Sequence, residues 1–257
     1  GLDATFDEAQ MKIGRRLAIK VLNASKFALT MGGENTTLDL DPARISLDLD
    51  RSVIAELRRV MSVASDALAA YDHSRALEVT ESFFWTFCDD YLELVKERAY
   101  NRDGKWAEDE AVSARTVLAI VIDTVIRLLA PFLPYVTEEV WSWYRPGSIH
   151  RAPWPTLEGL EDVAGDPEVL RAASAALIAL RRVKSEAKVS PRTPFLKVSL
   201  EVPQASKAAI EGVLADLSAA SKVEGPFELV SYEAAEDGEA ETRVVSFELG
   251  EAPARKK

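Results

Sequence analysis

From residue 9 to about residue 187 the apolar side chains recur every three or four positions, and from residue 195 onward they recur every second position. The first period places them along one stripe of a helix; the second places them on one face of a strand. The change of period dictates a mainly α architecture: an antiparallel helical bundle followed by a small α/β unit. A helix over 9–29 carries Ile13, Leu17, Val21, Ala24 and Ala28 on its inner side and stops at Gly32 and Gly33. A second, over 50–71, opens at Asp50 or Ser52 as its cap and buries Val53, Leu57, Val60, Ala64 and Leu68. A third, over 74–100, has the stripe Val79, Phe83, Phe87, Tyr91 and Leu94. A fourth starts near 109 and runs to Leu129. Pro131 and Pro134 interrupt it before a further piece, Val136–Tyr144.

The Pro-rich segment 145–159 cannot be helical throughout and reads as an ordered loop that lays Trp154 on the bundle. Asp166 and Pro167 then open a helix that reaches Ala187. Beyond it "FLKVSLEV" alternates as a strand and 204–221 is helical. "FELVSYE" and "TRVVSFEL" alternate again, with "EAAEDGEAE" as a hairpin loop between them. The expected organisation is therefore a bundle over 1–165, a connecting helix with a basic end over 166–194, the α/β unit over 195–250 and a disordered tail over 251–257. Gly1 stands where an initiator Met would, which we read as a piece of a longer protein.

Few catalytic constellations are available. There is no Gly-rich phosphate loop and no nucleophile elbow. Asp89-Asp90 and Glu138-Glu139 are adjacent pairs that do not share a helix face, so they read as caps or solvated groups. Asp90 stands out for its neighbours Trp85, Phe87 and Tyr91. His73 lies at a helix start and His150 in the Pro-rich loop, where a loop hydrogen bond is expected. Two distant histidines and one cysteine do not make a metal centre. Cys88, among aromatics, reads as a core residue. A single cysteine also excludes an intrachain disulfide and suits a reducing, cytoplasmic setting. No apolar run is long and uncharged enough to span a bilayer, so no membrane partner is expected.

One stretch departs from the rest. The chain is acidic, with 42 carboxylates against 31 Lys and Arg and a net charge of -11. Yet "MKIGRRLAIKVLNASKF" (11–27) holds five cations and no acid. At ~100° per residue Lys12, Arg15, Arg16, Lys20, Asn23 and Lys26 fall within an arc of roughly 140°, with Phe27 and Ile19 among them. Overall acidity excludes an indiscriminate nucleic-acid binder but not a local basic patch. Exposed helix faces usually mix charge signs; this one repels itself unless an anion lies against it. RNA phosphates supply that anion, while Asn23 and Phe27 add groups able to bond to or stack on unpaired bases. An ordinary solvated face and a surface for an acidic protein partner remain open. Arg181, Arg182, Lys184, Lys188 and Arg192 form a second basic cluster.

Four motifs carry a resemblance. "GRRLAIKVLNASKF" resembles the opening helix of the anticodon-binding bundle in class I aminoacyl-tRNA synthetases. "FFWTFCDDYLELVK" resembles its third helix. "LLAPFLPYVTEEVW", followed by "SIHRAPWP", is similar to its fourth-helix region, and "IALRRVKSEAKVSP" to the segment after the bundle. They follow in family order from about 6 to 195, and the third-helix motif is nearest to the valyl subgroup. The isoleucyl and leucyl enzymes share the bundle and stay as alternatives, as does a helical protein-interaction scaffold. The resemblance implies a valine–tRNA ligase parent, monomeric and cytoplasmic, in which this part holds the anticodon stem-loop of a valine tRNA. The family's His-x-Gly-His and Lys-Met-Ser-Lys-Ser motifs are absent from this sequence. The resemblance therefore implies no catalytic residue, metal or cofactor here, with ATP and Mg handled elsewhere in the parent. It makes Arg15 the first candidate for an anticodon-loop contact. Lys12, Arg16, Lys20, Asn23, Lys26 and Phe27 join it, and Trp85, Asp90, Arg181, Arg182, Lys184 and Lys188 are secondary candidates. Valine anticodons share A and C at their last two positions, so contacts to those bases are implied.

Overall fold

The helix Glu108–Leu129, α5 in chain order, is buried on every side from Val117 to Ile126. Its apolar residues are not confined to a stripe, and a helix of that kind is stable only when other helices surround it. The computed structural model describes residues 8–31, 38–233 and 240–252, and in it α5 is the axis of the bundle. Around it stand α1 (Glu8–Thr30), α2 (Asp48–Ala69), α3 (His73–Thr86), α4 (Leu92–Tyr100) and α6 (Pro134–Ser142). The expected stripes are buried: Val53, Leu57 and Val60 in α2, and Val79, Phe83, Phe87, Tyr91 and Leu94 along the third helical run. Gly32 and Gly33, expected to end the first helix, lie outside the described residues.

Three local expectations are corrected. The second helix starts earlier, with Leu47 as its cap residue, and neither Asp50 nor Ser52 caps it. Asp50 is fully buried and serves a longer-range role. The third helix is not one regular helix: a π-turn, Phe87–Tyr91, separates α3 from α4. It inserts one extra residue per turn and re-aims the side chains within it. Phe84, Phe87 and Tyr91 stack through this turn with ring centroids 5.8–6.4 Å apart. Finally, Ile13 is 39% exposed and Met11 59% exposed, so the inner stripe of α1 begins at Leu17.

The Pro-rich loop behaves as expected. Trp154 donates from Nε1 to Ser65 Oγ at 2.9 Å, and His150 Nε2 lies 3.2 Å from the Pro134 carbonyl. Asp166 caps α7 (Pro167–Glu186) by accepting from the Glu168 amide. Helix α7 packs on α2 and also meets the C-terminal unit. That unit consists of β1 (Phe195–Pro203), α8 (Gln204–Gly212), α9 (Leu214–Ser221), β2 (Phe227–Tyr232) and β3 (Arg243–Leu249).

The expected hairpin is not formed. The strand order is β2-β1-β3, with β2 parallel and β3 antiparallel to β1, so the last two strands flank the first and never pair. The α8–α9 crossover makes β2 parallel to β1. The central place of β1 follows from its burial: Phe195, Val198, Leu200 and Val202 are fully buried, whereas β2 and β3 are half-exposed. Most of the expected hairpin loop, 234–239, and the tail from 253 lie outside the described residues. Gly225 sits where β2 begins; a Cβ there would run into the Leu196 carbonyl, so only glycine allows the two strands to approach.

Candidate nucleic-acid interface

Most of the cationic arc is exposed. Lys12, Arg15, Arg16, Asn23 and Lys26 all face solvent from α1. Among the described residues none of the four cations has an ion-pair partner, and their charges are free to meet an anion. Two members of the expected set are drawn elsewhere. Lys20 is half-buried and donates to Asp89 Oδ1 at 2.7 Å, with its Nζ 5.6 Å from the Trp85 ring centroid. Its charge is thus already partly neutralised, which a reading of α1 alone could not foresee. Phe27 packs edge-on against Tyr100 at 5.5 Å and beneath Lys96 at 5.7 Å. Its ring belongs to the α1–α4 contact more than to the open face.

The two basic clusters, far apart in sequence, meet at the π-turn through Lys20 and Arg181. Arg181 on α7 donates from Nη1 to the Asp89 main-chain carbonyl at 2.7 Å and lies 3.8 Å from the Asp90 carboxylate. Asp89 is therefore touched by α1 through its side chain and by α7 through its backbone. Asp90 faces inward, and burial raises its carboxyl above the usual carboxylate range. Trp85 is half-buried and donates from Nε1 to Glu81 at 3.1 Å, which fixes its ring. The adjacent pair Asp89-Asp90 diverges as expected, Asp89 outward and Asp90 inward, but neither is a cap and both are drawn into contacts with basic side chains.

The remaining secondary candidates separate. Arg182 is exposed and paired with Glu186 and Glu241. Lys188 is exposed just past α7, in a left-handed backbone conformation. Lys184 does not belong to the surface. It is 6% exposed, donates to the Ser221 and Pro191 carbonyls at 2.7 and 3.1 Å, and sits over the Phe195 ring. Burial lowers its ammonium to about 8. It fastens α7 to the C-terminal unit, because three ammonium protons can satisfy carbonyls that neither element can satisfy alone. Among the described residues no group of His, Cys, Asp or Glu is arranged to hold a metal ion, and no helix is long and apolar enough to cross a membrane.

What this surface offers is a row of exposed cations on one helix, an aromatic and a carboxylate at its edge, and a second basic helix clamped beside it. Residues 50–200 match the model of the family described as the anticodon-binding domain of tRNA ligase. The chain belongs to that family; the matched residues run from α2 to β1, and the cationic helix α1 lies before them. Among its relatives, the valine–tRNA ligase of Bifidobacterium longum (strain NCC 2705) is 48% identical, with 100% of this chain and 30% of that protein covered. The valine–tRNA ligase of Cutibacterium acnes (strain DSM 16379 / KPA171202) is 46% identical, with 100% and 28% covered. That of Thermobifida fusca (strain YX) is 52% identical over 87% of this chain and 25% of its own length. The chain thus spans under a third of the length of the relatives it matches.

Proposed function

We propose that this chain is the anticodon-holding part of a valine–tRNA ligase, and that its partner is a valine tRNA. The observation that carries the proposal is the set of exposed cations Lys12, Arg15, Arg16 and Lys26, without an ion-pair partner among the described residues, on an otherwise acidic protein whose residues 50–200 match the anticodon-binding family. Phosphate contacts from these side chains set the position of the stem-loop, and contacts to base edges supply the selectivity. The relatives named as valine–tRNA ligases support valine over isoleucine or leucine. In this reading valine, ATP and Mg are handled by parts of the ligase outside this chain. The parent works as a monomer in the cytoplasm.

The test is binding of the chain to valine and isoleucine tRNA transcripts, each also with the other's anticodon, at two salt concentrations. Affinity that follows the A and C of the valine anticodon and falls steeply with salt supports the reading. Equal affinity for all four transcripts, or affinity indifferent to salt, overturns it and favours a protein partner for the cationic face.

A further inference from the structure

Of the two neighbouring acids on the π-turn, the outward one is the less expected. A carboxylate at the rim of a cationic RNA-facing surface repels phosphate, and the surface would hold an RNA backbone better without it. Asp89 is 55% exposed at its side chain. Its Oδ1 is taken by Lys20, and its main-chain carbonyl by Arg181. Among the described residues Oδ2 accepts no hydrogen bond. Lys20 is held from two sides, by Asp89 and by the Trp85 ring, whose own orientation is fixed by Glu81. The carboxylate is thus held by α1, its backbone by α7, and among the described residues it keeps one open acceptor at the edge of the exposed arc.

We propose that Asp89 is a specificity-determining residue: its open Oδ2 accepts a hydrogen bond from the exocyclic amino group of an unpaired adenine or cytosine. This inference rests on the functional reading above. Carboxylates accept from such amino groups and are repelled by the carbonyl oxygens that replace them in hypoxanthine and uracil. Lys20 and Arg181 offset the repulsion that a lone carboxylate would exert on the RNA backbone.

The experiment measures binding of the wild-type chain and of Asp89→Asn to a valine tRNA transcript. Variant transcripts carry inosine for the anticodon adenosine or uridine for the anticodon cytidine. Each swap replaces an amino group with a carbonyl. Asparagine leaves the main-chain carbonyl for Arg181 and presents both a donor and an acceptor. The expected result is roughly tenfold discrimination by the wild type at one of the two positions, a hydrogen bond to a charged group's worth. In Asp89→Asn that ratio collapses towards one while binding to the swapped transcript is retained. Circular dichroism confirms that the variant is folded. Discrimination that persists in Asp89→Asn overturns the proposal. An equal loss on every transcript also overturns it, since Asp89 would then only position Lys20. If the wild type ignores the anticodon, the functional reading itself falls, and this inference falls with it.

Discussion

Arg98 and Asp50 are both fully buried, and the guanidinium of one grips the carboxylate of the other through two hydrogen bonds of 2.8 Å. The same carboxylate accepts from Tyr91 Oη at 2.8 Å and Ser113 Oγ at 2.5 Å, and Arg98 Nε reaches Asp216 at 3.0 Å. Helices α2, α4 and α5, the π-turn and helix α9 of the C-terminal unit therefore converge on one ionic centre.

Removing one member of that centre leaves a buried charge unpaired. Arg98→Met should lower the stability of the chain by about 3–5 kcal/mol. Arg59→Ala, which breaks the exposed Arg59–Glu56 pair, should cost less than about 1 kcal/mol. Urea titrations of the two variants measure the contrast. Equal effects would show that the buried centre does not join the bundle to the C-terminal unit.

Asp216 gives the centre a pH dependence. Burial pushes its carboxyl up to about 6, against the pull of Arg98, whose charge is shared with Asp50. A carboxyl raised above its unfolded value of about 3.8 binds a proton more tightly in the folded chain. Its contribution is fully present below about pH 4 and is lost as pH rises through about 6. Relative to Asp216→Asn, the wild type should therefore lose roughly 2–3 kcal/mol of stability between pH 4 and pH 7. Urea midpoints of both proteins across that range read the difference; a difference that does not change with pH would refute it.

Lys184 and Arg15 should separate stability from RNA binding. Lys184→Met removes the contacts of α7 with the Ser221 carbonyl of the C-terminal unit and the Pro191 carbonyl of the link before it and should lower the melting temperature by several degrees, about 2 kcal/mol. Its tRNA affinity under native conditions should not change. Arg15→Ala should leave the melting temperature in place. It should weaken tRNA binding and reduce the slope of log affinity against log salt by about one. Thermal melts and salt-dependent binding of both variants distinguish the roles.

Cys88 should be chemically silent. It is 3% exposed, and burial pushes its thiol up to about 12. A thiol-specific reagent at pH 8 should leave the native chain unmodified and label it fully in denaturant, because the reactive species is the thiolate. Rapid labelling without denaturant would show that the α3–α4 region opens locally.

How much of this was legible beforehand depended on distance along the chain. The helical stripes, the strand alternation, the Asp166 cap and the exposed cations at Lys12, Arg15, Arg16 and Lys26 follow from residues within one or two turns of each other. Sequence patterning determines which face of an element is apolar or charged, because the period of a helix or strand is fixed by backbone geometry. It does not determine what that face meets. Lys20 finds Asp89 across 69 positions and Arg98 finds Asp216 across 118, and nothing local to either residue encodes the partner. The π-turn at Phe87–Tyr91 is invisible to a regular 3.6 period. The burial of Lys184 and the central place of β1 were likewise decided only when α7 and the C-terminal unit came together. There desolvation and unsatisfied carbonyls outweighed the preference of a lysine for water and of two successive strands for each other.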